Sequence, residues 1–378
     1  MSSGEIIARH YHTRQPVRMT WADGRINTIE LSTAATTPDQ WIAPALLDLQ
    51  VNGFAGVDFQ QDNLATEQLL VAVRGLRKAG CTRFLLTQVT TPWPKLLARL
   101  RHLRELRESS PELRAAIAGW HVEGPFLSAE PGFCGAHDPS WMIDPTPEHI
   151  RELREATGTE PVLLTLSPER SNAIAAIEQA TALGIKVSLG HTNASSECLQ
   201  QAVKHGATAF THLGNGCPRE LDRHDNILWR LFELRGVTCS VIPDGIHVSP
   251  ALFRLMHREL TGEIFYVSDA MSAAGVPPGR YRLAHLELEV GEDQIVRYPG
   301  RATFAGSALR PIDGIFRAAS LLDASWQDVW PRFADVPARL MGLASGLQPG
   351  APADFCVMQF TAGNQMIDLK TFAAGREA

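Results

Sequence analysis

Hydrophobic positions along the chain form short, nearly continuous apolar runs that alternate with stretches of helical periodicity from residue 45 onward. Such runs are typical of parallel strands buried on both faces. The stretches between them, such as TEQLLVAVRGLRKAG, repeat apolar residues every three to four positions, as amphipathic helices do, and several of them end in glycine. The predicted strands cover residues 45–51, 83–88, 115–122, 161–166, 185–190, 207–212, 237–242 and 264–269. Eight strands that alternate with helices predict an α/β fold, a (β/α)8 TIM-type barrel.

The two ends of the chain depart from this alternation. Residues 1–43 contain short strand patterns with turns, and GLQPGAPADFCVMQF near the C-terminus combines a turn with a strand. Neither end is large enough to hold a core alone, so we expect both to form one small β-sandwich domain, residues 1–43 plus 340–378. The barrel would then occupy residues 44–339. Residues 281–300 predict a hairpin with its turn at Gly291–Asp293, outside the barrel.

Composition and charge exclude several classes of partner. The 378-residue chain has a net charge of −6 and no long Lys/Arg block, so we expect neither a nucleic-acid nor a membrane partner. The N-terminal residues lack the apolar core of a secretory signal, and no apolar stretch is long enough to cross a bilayer. None of the six cysteines forms a C-x-x-C pair, which favours a reducing, cytoplasmic location.

Polar side chains follow the predicted strands at the end where barrel active sites lie. Strand three ends in HVEGP with Glu123, strand five in LGH with His191, and strand six in TH with His212. One carboxylate and two imidazoles from three strands can converge on one divalent ion and leave a coordination position open for catalysis. Asp269, after strand eight, could act as a base toward water bound there. A lone histidine at a strand end is more often an ordinary polar residue, so the hypothesis depends on all four together.

Longer stretches around these strand ends follow one another in a characteristic order. They are IAPALLDLQVNGFAGVDF, WHVEGPFLS, GFCGAHDP, SLGHTNAS, THLGNGCP, VIPDGIHVSP, YVSDAMSAAG and FAGSALRPIDG. Over residues 40–360 this order resembles the N-acetylglucosamine-6-phosphate deacetylase family of the amidohydrolase superfamily. The resemblance implies one metal ion per subunit, because Gln50 and Asn52 stand where most members of the superfamily have an H-x-H pair. Zn2+ is the expected ion, with Fe2+ and Mn2+ as alternatives.

The resemblance also implies roles for individual residues. Asp269 matches the general base and acid, and His137 matches the histidine that polarises the acetamide carbonyl. Glu123, His191 and His212 match the metal ligands. The remaining matches are the sugar contacts Ala136, Asn215 and Gly216, the phosphate contacts Arg223 and His247, and Leu309 beside the acetyl group. The family further implies a homodimer.

The expected reaction is metal-dependent hydrolysis of the acetamide of N-acetylglucosamine 6-phosphate to glucosamine 6-phosphate and acetate. Two alternatives stay open. The loop Gly214–Asn226 departs from the family pattern at Gly214, Gly216 and RHDN, which favours another N-acyl amino sugar, either unphosphorylated or a different sugar phosphate. The second alternative is a barrel without activity that serves as a binding scaffold. The full set of site residues argues against it.

Overall fold

A computed structural model describes residues 3–33, 39–260, 263–299 and 304–378. The strands, in chain order, are β1 (Ser3–His10), β2 (Pro16–Ala22), β3 (Arg25–Leu31), β4 (Gln40–Pro44), β5 (Leu46–Val51), β6 (Gly53–Phe54), β7 (Val57–Asp58), β8 (Cys81–Val89), β9 (Ile117–Glu123), β10 (Val162–Leu166), β11 (Lys186–Leu189), β12 (Ala207–Phe210), β13 (Thr238–Val241), β14 (Ile264–Tyr266), β15 (Gly279–Leu283), β16 (Leu286–Val290), β17 (Val296–Arg297), β18 (Phe355–Phe360), β19 (Met366–Ala373) and β20 (Arg376–Glu377). The α-helices are α1 (Thr66–Lys78), α2 (Trp93–Ser109), α3 (Pro111–Ala116), α4 (Pro147–Thr157), α5 (Ala173–Ala182), α6 (Ser196–Lys204), α7 (Ile227–Glu233), α8 (Pro250–Glu259), α9 (Pro311–Leu322), α10 (Trp326–Val329) and α11 (Asp335–Met341).

Eight parallel strands form the predicted barrel. They are hydrogen-bonded in the order β5-β8-β9-β10-β11-β12-β13-β14, with helices between them along the chain. Each coincides with one of the eight predicted apolar runs, and most of their residues are buried, as strands covered on both faces must be. The first and last strands meet through an isolated parallel bridge between Val51 and Ala270, which nearly closes the barrel. The barrel prediction is therefore confirmed.

Helix starts around the barrel are set by local capping. Helices α4, α6 and α8 follow Thr146, Ser195 and Ser249, and each hydroxyl accepts a hydrogen bond from the backbone N–H three residues ahead. Their apolar faces join one continuous core between strands and helices, with fully buried members such as Trp120 and Phe253. Among the residues that the structure describes, no helix is both long and apolar enough to cross a membrane.

Both chain ends contribute to a separate seven-stranded sheet, as expected. Its order is β20-β19-β18-β4-β1-β2-β3, and only β1 and β4 pair in parallel. Alternate residues face a second core, in which Met19, Ile42 and Phe355 are fully buried. The proposed domain limits at residues 43–44 and 339–340 stay a prediction; the second lies within α11.

The segment after the barrel differs from the predicted hairpin. β15, β16 and β17 form a three-stranded antiparallel sheet. The predicted turn at Gly291–Asp293 does lie between β16 and β17, but an additional turn at Ala284 and His285 joins β15 to β16. Ala284 adopts φ 55°, a left-handed conformation that alanine rarely takes, so residue propensities gave no signal for this turn.

Asp48 links the first and last barrel strands from below the active-site end. It is fully buried, its two carboxylate oxygens each lie 3.2 Å from the backbone N of Ser268, and Oδ1 also accepts the N–H of Gln50. We expect Asp48→Ala to lower the free energy of unfolding by about 2–4 kcal/mol, because two buried N–H groups lose this acceptor. Urea denaturation measures the loss. Asp48→Asn keeps an acceptor oxygen and should cost less; equal losses would contradict this role.

Candidate active site

A cavity of about 630 Å3 opens at the carboxyl ends of the barrel strands. Its wall includes four of the residues predicted from strand ends. These are Glu123 at the end of β9, His191 after β11, His212 after β12 and Asp269 after β14. The carboxyl ends of parallel strands meet at one face of a barrel, so these side chains lie together although they are far apart in the chain.

Glu123, His191 and His212 form one compact group of potential metal ligands. One ligand atom of each lies within 4.8 Å of the other two, and all three residues are buried. Glu123 Oε1 is 2.8 Å from His212 Nε2 and 3.3 Å from His191 Nε2. Burial raises the pKa of Glu123, but hydrogen bonds with His191 and His212 outweigh it and hold that pKa well below its usual range. An ionised carboxylate beside two imidazoles is a donor set that suits a divalent ion.

The orientation of His191 is fixed from its other ring nitrogen. Its Nδ1 lies 2.8 Å from the carbonyl oxygen of Phe133. Since a carbonyl only accepts, Nδ1 carries a proton, and Nε2 is the ring nitrogen that faces Glu123. This partner on the far side of the ring is the usual means of orienting a histidine ligand.

Three of these residues hold left-handed backbone conformations. His191 has φ 51°, His212 has φ 29° and Asp269 has φ 51°. Non-glycine residues adopt this region at a cost of roughly 1–3 kcal/mol, and such residues cluster at functional sites. The sharp turns immediately after the strands aim these side chains into the cavity.

Asn52, directly after β5, uses its side-chain amide to contact Asp269. Its Nδ2 donates to Asp269 Oδ1 at 2.7 Å, so it orients the carboxylate across the barrel. Burial and the nearby charge of Glu123 raise the pKa of Asp269 to about 6, against the opposite effect of His212. Gln50 is also buried, but it is not part of the cavity wall.

His137 contacts the same group from the loop after β9. Its Nε2 lies 4.0 Å from Glu123 Oε2, and its Nδ1 lies 2.8 Å from the hydroxyl oxygen of Thr90. Burial and neighbouring His191 lower the pKa of His137 to about 3, so the ring is neutral. The backbone N–H of Thr90 also points at Nδ1, at 3.4 Å, which makes Nδ1 the acceptor and leaves the proton on Nε2. His137 therefore presents an N–H donor to the cavity.

The chain is similar to known enzymes along most of its length, although no family model matches it. The N-acetylglucosamine-6-phosphate deacetylase of Danio rerio is 32% identical over 360 residues, which cover 89% of this chain and 84% of that protein. The corresponding Bos taurus enzyme is 34% identical over 334 residues, covering 84% and 79%. The chain belongs to the N-acetylglucosamine-6-phosphate deacetylase family.

Solved structures of the deacetylase family have the same fold. A mutant N-acetyl-D-glucosamine-6-phosphate deacetylase from Mycobacterium smegmatis, in complex with N-acetyl-D-glucosamine-6-phosphate, superposes with a TM-score of 0.88 at 28% identity. The match covers 100% of this chain and 99% of that one. Membership of this family makes the chain an amidohydrolase, and the buried Glu–His–His group fits a divalent metal.

Six residues were assigned only through the family resemblance; four of them line the cavity and two lie outside its wall. Ala136, Asn215, Gly216 and His247 line the cavity. Arg223 lies outside the cavity wall on an exposed loop, where its Nε donates to His224 Nε2 at 3.0 Å. Leu309 is buried among apolar side chains and is also outside the wall. The roles of all six stay predictions.

Sequence reasoning missed three contacts that orient histidines of the cavity wall. Thr90 holds His137, the Phe133 carbonyl holds His191, and Asp244 binds His247. Only Asp244 left a local signal, because an Asp in a turn commonly accepts the backbone N–H two residues ahead, as Asp244 does from Ile246. His121, two residues before Glu123 on β9, is buried and its Nε2 lies 2.8 Å from Thr165 Oγ1, so it is a core residue with its own hydrogen-bond partner.

Gly135 packs against the ring of His191 in a left-handed conformation, φ 59°. A Cβ there would lie 2.7 Å from His191 Cε1. We expect Gly135→Ala to displace the ring and weaken metal binding at least tenfold, as loss of a supporting contact commonly does. Metal titration with a competing chelator measures this.

Gly184→Ala is the matched control for that substitution. Gly184 has φ 70°, and a Cβ there meets nothing within 4 Å. It therefore carries the same left-handed strain, about 1–2 kcal/mol, without the contact. If both variants bind metal as the parent does, Gly135 has no part in holding His191.

Proposed function

We propose that this protein hydrolyses the acetamide of N-acetylglucosamine 6-phosphate to glucosamine 6-phosphate and acetate. The observation that carries the proposal is the convergence of Glu123, His191 and His212 beside Asp269 in one cavity. Relatives that carry this activity in their names support the choice of substrate, as does the related Mycobacterium smegmatis structure with N-acetyl-D-glucosamine-6-phosphate bound.

Glu123, His191 and His212 would hold one divalent ion, with Zn2+ the first choice because its preferred ligands are imidazole nitrogen and carboxylate oxygen. Fe2+ and Mn2+ accept similar ligands. When bound, the ion supplies Lewis acidity to water and to the acetamide carbonyl. The buried position of the group and the protonated Nδ1 of His191 support this assignment.

The remaining chemistry falls to the protein's own side chains. Asp269, held by Asn52, accepts a proton from the attacking water and later donates it to the departing amine of the sugar. His137 donates from Nε2 to the carbonyl oxygen as negative charge develops on it. A donor of this kind is worth about 3–4 kcal/mol of transition-state stabilisation in comparable sites.

The sugar would occupy the cavity beside Ala136, Asn215 and Gly216, with Leu309 near the acetyl end. His247 on the cavity wall supports a phosphate contact. Arg223 can contribute only if its exposed side chain moves from His224 or reaches another subunit. Contact of Arg223 with another subunit would require the homodimer, which we propose as the functional assembly.

We propose a cytoplasmic location, in keeping with a small phosphorylated metabolite as substrate. All six cysteines are free in the structure, and three of them, Cys81, Cys239 and Cys356, are buried. A reducing compartment preserves such thiols.

The main competing function is deacylation of a different amino sugar. Gly214 and Gly216, where the loop departs from the family resemblance, line the cavity, so these departures lie where a different substituent would bind. The alternative of an inactive scaffold has less support, because Glu123, His191, His212, His137 and Asp269 are all retained in one cavity.

A panel of N-acylated sugars with and without 6-phosphate separates these functions, scored by free amine. We expect N-acetylglucosamine 6-phosphate to have the highest kcat/KM. Preference for another N-acyl sugar supports the competing function. A purified protein that binds no metal and releases no amine from any sugar supports the scaffold.

A further inference from the structure

A network of three hydroxyl groups and one imidazole ring crosses the interior of the barrel beneath the candidate metal ligands. His121 Nε2 lies 2.8 Å from Thr165 Oγ1, and Thr165 Oγ1 lies 2.8 Å from Thr211 Oγ1. Thr211 Oγ1 in turn lies 2.6 Å from Ser188 Oγ. These four residues, the barrel network, are all buried. Their side chains therefore tie together β9, β10, β11 and the end of β12.

Each of the three strands that lead to a candidate metal ligand also carries a member of the barrel network, one to three residues earlier. The pairs are His121 with Glu123, Ser188 with His191, and Thr211 with His212. His121 and Glu123 are two residues apart on β9, so their side chains point to the same face of the sheet. The barrel network therefore forms the layer directly below the ligands.

Thr165 is the central member of the barrel network. Its strand, β10, supplies no metal ligand but lies between β9 and β11, and its Cα is in register with those of Glu123 and Ser188. The Thr165 hydroxyl contacts both His121 and Thr211, so its removal would divide the network into two parts.

The turns that carry two of the ligands need support from this layer. His191 has φ 51° and His212 has φ 29°, and such conformations persist only where the surrounding structure holds them. Gly190, directly before His191, packs on the barrel network, because a Cβ there would lie 3.0 Å from both Thr165 Cγ2 and Thr211 Cβ. The barrel network thus contacts the backbone at the start of one strained turn and immediately precedes the other.

We propose that Thr165 is a positioning residue whose hydroxyl completes the barrel network, and that this network holds the three ligands at the separation one divalent ion requires. The proposal rests on the metal site of the proposed function. It assigns metal affinity to a residue that lies outside the cavity wall. Groups that orient metal ligands from behind commonly change affinity by about 10- to 100-fold. The physical reason is that ligands free to move apart have to be ordered again when the ion binds.

Thr165→Val tests the proposal, because valine replaces the hydroxyl with a methyl group of similar size. We expect the affinity for Zn2+ to fall about tenfold or more. Thr165→Ser keeps the hydroxyl and should bind Zn2+ nearly as tightly as the parent. Competition with a chelator, on protein first stripped of metal, measures all three affinities.

Thr157→Val is the matched control. Thr157 is also a fully buried threonine, and its hydroxyl donates to the backbone carbonyl of Leu153 at 2.8 Å, at the end of α4. Both valine variants should unfold at a lower urea concentration than the parent, but only Thr165→Val should lose Zn2+ affinity. An equal loss of affinity in Thr157→Val would reveal general destabilisation and overturn the proposal, as would parent affinity in Thr165→Val.

Ser188→Ala decides the question if Thr165→Val does not fold. It removes only the hydrogen bond to Thr211 at one end of the barrel network, so we expect about a fivefold loss of Zn2+ affinity. Parent affinity in this variant contradicts the inference. A parent protein that binds no divalent ion overturns the proposed function together with this inference. A parent that binds Zn2+ no more tightly than its variants overturns this inference alone.

Discussion

Asp269→Asn should reduce kcat by about 1,000-fold or more while leaving the metal content unchanged. General acid–base groups contribute roughly 100- to 10,000-fold, and an amide can neither take the proton from water nor return it to the amine. The substituted side chain keeps the same shape, and its oxygen can still accept the hydrogen bond from Asn52. Steady-state kinetics with metal analysis of the same sample measure both quantities.

Asp323→Asn is the matched control for an Asp-to-Asn change at a residue with a left-handed backbone. Asp323 has φ 52°, nearly the φ of 51° at Asp269, and it lies at the exposed end of α9, away from the cavity wall. It should retain full activity. Near-normal turnover in Asp269→Asn would remove Asp269 from the role of base, while loss of bound metal in that variant would assign it to the metal site instead.

Glu123→Gln should abolish both metal binding and activity. The substitution removes the only carboxylate of the three-residue group and leaves His191 and His212 without their shared partner. We expect the affinity for Zn2+ to fall at least 100-fold, because a neutral amide is a poor zinc ligand. Competition with a chelator measures affinity, and chelated parent protein should lose activity and recover it when the metal is restored.

Glu178→Gln is the matched control for the loss of a Glu–His contact. Glu178 Oε1 lies 2.6 Å from His205 Nδ1 on the outer surface between α5 and α6. It should bind metal and turn over substrate as the parent does. Equal metal affinity in Glu123→Gln and the parent would show that the ion is held elsewhere.

The barrel was predictable because its strands carry a simple signal. A strand buried on both faces has to be apolar throughout, so runs such as residues 161–166 can be recognised without knowledge of their partners. The third run illustrates the limit. Its first two residues, 115 and 116, belong to α3 rather than to β9, because both elements use the same apolar residues there.

The convergence of the candidate site residues was predictable for a geometric reason. Glu123, His191, His212 and Asp269 each stand at or just after the end of a strand, and parallel topology alone requires these ends to share one face. Their convergence therefore follows from the order of elements, without any knowledge of side-chain packing.

The groups that orient these residues were not predictable in this way. Thr90 and His137 lie 47 residues apart and Phe133 and His191 lie 58 apart, and each pair meets through irregular loops. Loop paths carry no periodic pattern of hydrophobicity, so only the folded structure brings such partners together. The extra turn at Ala284, beside the cavity, was also not predictable, because alanine rarely adopts its left-handed conformation.

Anomalous X-ray diffraction from crystals of the purified protein tests the central claim most directly. The account predicts one metal peak per chain at the carboxyl ends of the barrel strands, about 2.0–2.2 Å from a carboxylate oxygen of Glu123 and from one nitrogen each of His191 and His212. A peak bounded by other side chains, a second peak at Gln50 and Asn52, or no peak in an active preparation would contradict it.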